Sequence, residues 1–376
     1  MQIEIKEVVS KRQLRRFADF PNKMYRHNAY YVPQLLSEEI KVLSPKKNPA
    51  FELCEAKYWF AYEGRKVVGR VAGIINYGYN QKTGKKYARF GWLDFIEKEE
   101  VLHALIQTVE EWARSRGAEI LHGPLGFSDF DASGVLVEGF DELPTAYGKY
   151  NYPYYGTFLE KEGFIKETDW VEYNVKVPEA TPEKYLTMAS LVEKRYDLRC
   201  ASLTNKKKLL AHADGIFELL NKAYMKLHGF SELNPGQLED LKNHFLPMLQ
   251  LKYVSVVLDP KDKVVAFAIC LPSLSKALQK NRGRMYPFGF IPILRALRKN
   301  DTLDTLLIAI DEEYRDKGTM ALMFKNIGDA IMKNGITNIE TTRELEDNRN
   351  VQNLWNKLEL RQHKRARCYE KHLIHD

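Results

Sequence analysis

The chain has 376 residues, 44% hydrophobic and 28% charged, the balance of a soluble globular protein rather than a disordered or fibrous one. That length is too great for one compact core of usual size, so two domains are expected. A net charge of +7 permits an acidic partner (a phosphate ligand, an anionic membrane surface, a nucleic acid) without selecting one.

In chain order, Tyr58–Tyr62, a Glu-Gly turn and Val67–Ile75 read as a hairpin. A strand follows at Ala88–Ile96, a helix at Glu99–Arg116, a strand at Ile120–Leu125, a helix near Tyr155–Glu162 and a strand at Trp170–Val175. Prolines at both ends of Val177-Pro-Glu-Ala-Thr-Pro182 make that stretch a linker, because they break helix and sheet alike. The order then recurs: a hairpin at Tyr253–Leu258 and Val264–Cys270, a strand at Leu306–Ile310, a helix to Lys333 and a strand at Thr337–Thr341. A helix at Asn350–Leu358 and a strand at Arg367–His372 complete it. The expected fold is α+β (mixed α/β), with two tandem domains at 1–177 and 183–376, each a mixed sheet flanked by helices.

Asp311 ends the strand of the second copy, and Glu-Glu-Tyr314-Arg315-Asp-Lys317-Gly318-Thr319-Met320 leads into the helix. A basic, glycine-bearing loop at a helix start cradles an anion, because free N–H groups and the positive end of the helix dipole meet there. Arg315-x-x-Gly318-x-Met320 resembles the pyrophosphate loop of the GNAT acyltransferases, which bind acyl-CoA; Met320 stands where that family has Gly or Ala. Ile310, Arg315, Lys317, Gly318, Thr319 and Met320 are therefore candidate cofactor contacts, for acyl-CoA or acetyl-CoA. The first copy has Glu97-Lys98-Glu99-Glu100 at the corresponding place, and carboxylates repel a pyrophosphate. The N-terminal copy is thus expected to be degenerate and the C-terminal copy to hold the CoA.

A second resemblance covers nearly the whole chain. His122-Gly123-Pro124, Gly134–Pro144, Tyr150-Asn151-Tyr-Pro153-Tyr154-Tyr155 and Glu162-Gly163-Phe164 resemble the YghO-like family, which includes bacterial ceramide synthases. Phe20-Pro21, Val32-Pro33, Gly69-Arg70 and Leu345-Glu346-Asp347-Asn348 extend it. The resemblance implies a GNAT-fold N-acyltransferase that uses a CoA thioester. In part of the family the acceptor is the amine of a sphingoid base. Two readings stand for Asn151, Tyr154 and Tyr155: an ordered structural loop, which uses such residues routinely, or a substrate-facing surface.

Amide formation needs a base for the amine and an acid or dipole for the departing thiolate. Glu340, beside the cradle strand, is the first candidate base, with Asp311 and Glu346 in reserve; pairing with Lys333 or Arg343 is its dull alternative. Tyr369 is the candidate acid or else core, and Asn348 matches an asparagine that helps hold the cofactor in GNAT enzymes.

Between Ser273 and Asn300 there is no acidic residue, while Lys276, Lys280, Arg282, Arg284, Arg295, Arg298 and Lys299 interleave with Tyr286, Phe288 and Phe290. This composition suits a segment on an anionic membrane surface, with Tyr286 and Phe288 as candidate substrate contacts, or a basic-rimmed helix pair whose apolar side is core. No recognition motif accompanies the charge, so nucleic acid is not expected.

Cys54, Cys200, Cys270 and Cys368 lie far apart with no CxxC pair, and His122, His228, His244 and His363 are scattered. Neither a metal site nor serine-type chemistry is readable, and no metal is expected. Met1–Lys6 lacks the apolar stretch of a signal peptide, and a cytoplasmic protein, peripheral at most to the inner membrane surface, is expected. Besides acyl transfer to a lipid amine, two readings stay open. One is a non-catalytic CoA-binding or degenerate module that regulates or scaffolds; the other is aminoacyl transfer to a cell-wall precursor.

Overall fold

The computed structural model describes residues 2–349, 352 and 358–373. The first half runs β1 (Ile3–Glu7), α1 (Lys11–Met24), α2 (Leu36–Val42), β2 (Cys54–Glu63), β3 (Lys66–Asn76) and α3 (Tyr77–Thr83). It continues with β4 (Tyr87–Phe95), α4 (Glu99–Ser115), β5 (Ile120–Gly123), β6 (Val135–Glu138), α5 (Tyr154–Lys161) and β7 (Ile165–Lys176). The second half begins with α6 (Glu183–Tyr196), β8 (Arg199–Cys200), α7 (Lys206–Leu210), α8 (Ala213–Tyr224) and α9 (Pro235–Phe245). Then come β9 (Val254–Leu258), β10 (Val264–Pro272), α10 (Ser275–Asn281), α11 (Phe290–Arg298) and β11 (Thr302–Ile310). Last are α12 (Thr319–Lys333), β12 (Asn338–Thr341), β13 (Glu344–Leu345) and β14 (Leu360–His372).

Local sequence explains the two helices that matter most. In α4, Val101, Leu105, Val109 and Trp112 recur at three- and four-residue spacing and bury one face against β3, and Gly117 at φ 73° stops the chain. In α12, Met323, Ile327 and Ile331 do the same, and the helix packs against α6.

The described strands form one mixed sheet in the order β1-β2-β3-β4-β5-β14-β7-β12-β11-β10-β9-β8. The last strands of the two halves are therefore exchanged. β14, from the second half, lies beside β5, while β7, from the first half, lies beside β12. Neither half has a complete sheet without the other.

β14 carries Arg361, Lys364, Arg365, Arg367 and Lys371, yet it sits mid-sheet. Its charges are matched across the antiparallel pairing with β7, where Lys364 stands opposite Glu172 and Arg367 opposite Asp169. The Asp169 carboxylate, 1% exposed, accepts hydrogen bonds from Arg367 Nε at 2.8 Å and Arg365 Nη1 at 3.1 Å. Lys364 is 3.6 Å from Glu172 and donates to the Leu143 carbonyl at 2.7 Å.

These charges are why β14 begins at Leu360, seven residues before the expected Arg367, and β7 at Ile165 rather than Trp170: neither alternates apolar with polar residues. β5 ends at Gly123, short of the expected Leu125, because the chain turns away there. The helix expected at Asn350–Leu358 lies outside the described residues but for positions 352 and 358. Removing one partner of a buried ion cluster leaves the other charges unmatched. Asp169→Asn should thus cost about 3 kcal/mol in denaturant melts and lower the stability of both halves in a single transition. An unchanged midpoint, or a shift confined to one half, would contradict the ladder.

Candidate active site

β11 and β12 run parallel and pair only over Thr302–Thr305 and Asn338–Thr341. Past that point β11 continues as Leu306–Ile310, with β10 as its strand partner among the described residues and the Tyr224 hydroxyl donating to the Ile308 carbonyl at 3.3 Å, while the chain after β12 veers off at Thr342. Thr305 ties the apex of this V: its hydroxyl accepts from the Thr342 N–H at 3.3 Å. The splay encloses a cavity of about 180 Å³ between Thr305–Ile308 on one wall and Thr342–Leu345 with Asn348 on the other. Tyr147, Tyr224 and Phe245 close it from above.

At the far end of β11 the chain makes a 3₁₀ turn over Glu312–Lys317 and enters α12 through Gly318, at φ 81°. No side chain caps this helix start, so its first N–H groups are unclaimed by a cap. Lys317 lies over the rings of Tyr314 and Tyr196 at 4.5 and 5.0 Å. The buried Thr319 hydroxyl donates to the Tyr314 carbonyl at 2.7 Å, which fixes the loop and uses up that hydroxyl. Met320 is half-buried against the core of the second half. A side chain at Gly318 would meet Met188 at 3.0 Å and Val192 at 3.1 Å on α6. The left-handed backbone and the close helix both require glycine there. Gly318 variants would therefore disturb packing, and the anion-binding role is tested through Arg315 and Lys317.

The first half has the same splay, but it is shut. β4 and β5 pair in parallel from Tyr87 to Arg89, and then the Leu125 N–H donates to the Phe90 carbonyl at 2.8 Å. A Cβ at Gly91 would lie 2.3 Å from the Leu125 carbonyl oxygen, so the strand accepts the crossing chain only because it has no side chain. The helix behind this seam, α4, opens with Glu99 and Glu100, and Glu99 pairs with Lys161.

The candidate acid and base residues do not converge. Glu340 lies beside Asp304 in the β11–β12 register, at the narrow end of the V. Its carboxylate accepts from Asn174 Nδ2 at 2.7 Å and lies 2.8 Å from His363 Nε2, without hydrogen-bond geometry to the ring. Lys333 and Arg343, the pairing partners considered for it, are otherwise engaged: Lys333 faces Asp329 and Arg343 faces Glu172. Asp311 accepts a salt bridge from Lys222 at 2.8 Å and caps the 3₁₀ turn; it is seven residues from Asp304, about 23 Å along the strand. Glu346 binds Lys166 and Arg365 as part of the β7–β14 charge ladder.

Tyr369 sits in the first half's core. It pairs with Gly123 of β5, and its hydroxyl is 3.2 Å from Glu160, with burial first and then Glu160 pushing it up to about 12. Asn174 is opposite both Glu340 and Arg361, so Tyr369, eight residues on, is about 26 Å from Glu340. The strand exchange carried it away, and it cannot protonate a thiolate at the β11–β12 cavity.

Sequence reasoning passed over Asp304. It is 1% exposed, and neither oxygen has an aligned hydrogen bond; Ser273 and the Ala146 backbone lie near without forming one. Burial, reinforced by Glu340, pushes its carboxyl up to about 7. An acidic residue inside an apolar strand, Thr-Leu-Asp304-Thr-Leu-Leu, was the one signal available.

Asn151, Tyr154 and Tyr155 do not line the β11–β12 cavity. Asn151 bonds both backbone groups of Leu136, at 2.7 and 3.1 Å, and so acts as an extra strand edge. Tyr154 donates to the Phe95 carbonyl at 2.6 Å, and Tyr155 accepts from the Phe95 N–H at 3.0 Å. They hold the end of β4. Tyr286 and Phe288, in contrast, are 86% and 72% exposed on the turn between α10 and α11. Ala277, Leu278 and Ile293 of the same segment join the core below, as the helix-pair reading expects.

A second cavity of about 240 Å³ opens between α1, α2 and α9. It shares Phe130, Asp131, Tyr147, Gly148 and Phe245 with the first, so the two adjoin. Phe127, Trp92 and Leu241 line it alongside Glu39 and the buried Arg70–Asp94 pair, 2.7 Å apart. Finally, His122 and His228, distant in sequence, both face Glu167.

No family model matches the chain. It is similar to the protein YghO of Escherichia coli (strain K12), 26% identical over 385 residues, covering 98% of this chain and 95% of the relative. It is similar to the bacterial ceramide synthase of Caulobacter vibrioides (strain NA1000 / CB15N), 25% identical over 381 residues, covering 96% and 95%. A solved tandem GNAT protein from the clavulanic acid biosynthesis pathway shares the fold, at TM-score 0.56, 12% identity and full coverage of both chains. With the tandem sheet, the open second splay and matches along almost its full length, this chain has a tandem GNAT fold and is similar from end to end to YghO and the bacterial ceramide synthase.

Proposed function

We propose that the chain is an acyl-CoA-dependent N-acyltransferase working in its second half, with a long-chain amine of the sphingoid-base class as acceptor. The observation that carries this reading is the asymmetry of the two splays. One is open, leads to an uncapped basic helix start, and adjoins a long cavity; the other is sealed by backbone and faces carboxylates.

In this reading the CoA pyrophosphate lies on the first turn of α12, beside Arg315 and Lys317. The pantetheine runs along the unpaired edge of Leu306–Ile310, and Asn348 flanks it. Backbone N–H groups on that edge stabilise the oxyanion. Asp304 takes the proton from the ammonium, directly or through water, and Glu340 keeps its affinity for that proton high. The free amine adds to the thioester carbon; the C–N bond forms, the nitrogen's surplus proton passes to water, the C–S bond breaks, and CoA leaves as the thiolate. The helix dipole and the basic loop favour that departing charge. The acceptor's chain occupies the adjoining cavity among Phe127, Trp92 and Leu241, and the name of the Caulobacter relative, a bacterial ceramide synthase, agrees with an amine of this kind.

Delivery follows from the surface. Exposed Tyr286 and Phe288 flanked by Arg282 and Arg284 suit contact with an anionic bilayer. No helix among the described residues is long and apolar enough to cross a membrane.

Calorimetric titration with CoA should show Arg315→Ser and Lys317→Ser each weakening binding by about tenfold; native affinity in both would remove the pyrophosphate assignment. Asp304→Asn should bind CoA normally and lose about 10²–10⁴-fold in turnover. The wild-type rate should climb as pH rises through about 7, where Asp304 loses its proton, and Glu340→Gln should move that limb to lower pH. Linkage gives an independent check. Because folding holds the Asp304 proton more tightly than the unfolded chain, from an ordinary value of 3.8, the wild type loses stability as pH rises from about 4 to 7, and Asp304→Asn should lose less, keeping only the part due to other raised carboxyls such as Asp129 and Asp131. Turnover indifferent to Asp304 would pass the role to solvent, and CoA binding without turnover on any long-chain amine would favour a non-catalytic module. Tyr286→Ser with Phe288→Ser should reduce co-sedimentation with anionic vesicles while leaving CoA affinity intact; unchanged sedimentation would return the acceptor to the soluble pool.

A further inference from the structure

Strand exchange places three chemically distinct side chains on three neighbouring strands: His122 on β5, Cys368 on β14 and Glu167 on β7. A fourth, His228, arrives from the loop between α8 and α9. Glu167 Oε2 lies 3.2 Å from His122 Nδ1, 3.3 Å from His228 Nε2 and 3.1 Å from Cys368 Sγ. One ligand atom from each residue falls within 4.8 Å of all the others. His122 and Cys368 are fully buried, and the other two are largely so.

We infer that His122, Glu167, His228 and Cys368 form a structural site for a divalent transition metal, zinc by its ligand chemistry. A thiol, two imidazoles and a carboxylate are borderline-soft donors, the mixture zinc takes in closed four-ligand sites. Bond lengths of 2.0–2.3 Å in a tetrahedron put donor atoms about 3.3–3.6 Å apart, close to the 3.1–3.3 Å that separates Glu167 Oε2 from the other three and inside the 4.8 Å that bounds every pair. Hydrogen bonding alone serves the cluster poorly. His122 Nδ1 and Cys368 Sγ crowd one oxygen of Glu167, while His228 Nε2 lies 3.3 Å from that oxygen without hydrogen-bond geometry and His122 Nε2 has no hydrogen-bond partner among the described residues. A central cation gives each donor atom its own axis. Charge is also accommodated: the carboxylate and a thiolate neutralise the dication. The nearby Arg89 guanidinium is committed to the Gly126 and Gly229 carbonyls, at 2.9 and 2.8 Å.

The site has no open position for substrate, so its role is to hold shape. His228 lines the β11–β12 cavity, and the metal would fasten that wall to the three central strands. No spacing motif announces it, because the ligands are drawn from both halves and meet only through the exchange of β7 and β14.

The test uses the full-length chain purified without chelators. Elemental analysis should find about one equivalent of zinc. Cobalt(II) added to the chelator-treated protein should give the intense visible bands of a tetrahedral site and a near-ultraviolet thiolate-to-cobalt band. Cys368→Ser should lose the thiolate band, and Cys54→Ser should keep it. His228→Ala, on the partly exposed loop and hence the variant least tied to the core, should weaken cobalt binding by about tenfold or more. Background metal content together with no cobalt spectrum would overturn the site. So would a thiolate band that survives Cys368→Ser, or unchanged cobalt affinity in His228→Ala.

Discussion

The pairing of an acidic strand, β7, with a basic one, β14, is the interaction on which the rest of the molecule depends. Both strands run through the middle of the sheet, where apolar residues are the usual occupants. Here Glu172, Asp169, Lys364, Arg365 and Arg367 meet in a fixed antiparallel register. A two-residue slip would keep every side chain on its face but bring mismatched charges together, so charge rather than apolar burial specifies the register. Because each strand belongs to the other half's sheet, the two halves form a single structure. The loops of the first half are held over the cavity of the second, and a histidine, a glutamate and a cysteine from three strands are brought to one point.

The same constraint separates the fates of the two splays. A parallel pair that diverges leaves an unpaired strand edge, and buried backbone must find partners. In the first half the chain after β5 supplies them through Leu125, at the cost of the opening. In the second half no strand among the described residues pairs with that edge of β11 along Leu306–Ile310, where the Tyr224 hydroxyl donates to the Ile308 carbonyl, and beside it a buried carboxyl, Asp304, is pushed up to about 7. One copy became wall and the other kept the slot.

Much of this was legible from the amino acids. The order of strands and helices, the turn through Gly318 into α12 and the acidic start of α4 follow from periodicity and local charge. Their positions agree with the structure to within a few residues at α4, α12 and the two hairpins. The central strands were not legible, since β14 lacks alternation and its partners, from Val175 opposite Leu360 onward, lie in the other half of the sequence. That gap also misplaced Tyr369, because a strand assigned to the second half's edge lies against the first half's core. Asn151, Tyr154 and Tyr155 looked like surface chemistry but hold backbone ends, a role that depends on knowing where β4 and β6 stop. Asp304 was hidden by its apolar context, and the same burial gives it chemical interest.

Hydrogen exchange with and without saturating CoA tests the functional asymmetry most directly, since it reports backbone protection in both splays in one experiment. CoA should slow exchange along Leu306–Ile310 and over Arg315–Leu322, and leave Phe90–Leu102 unchanged. Protection of Phe90–Leu102, or none in either region at saturating CoA, would contradict a cofactor site confined to the second half.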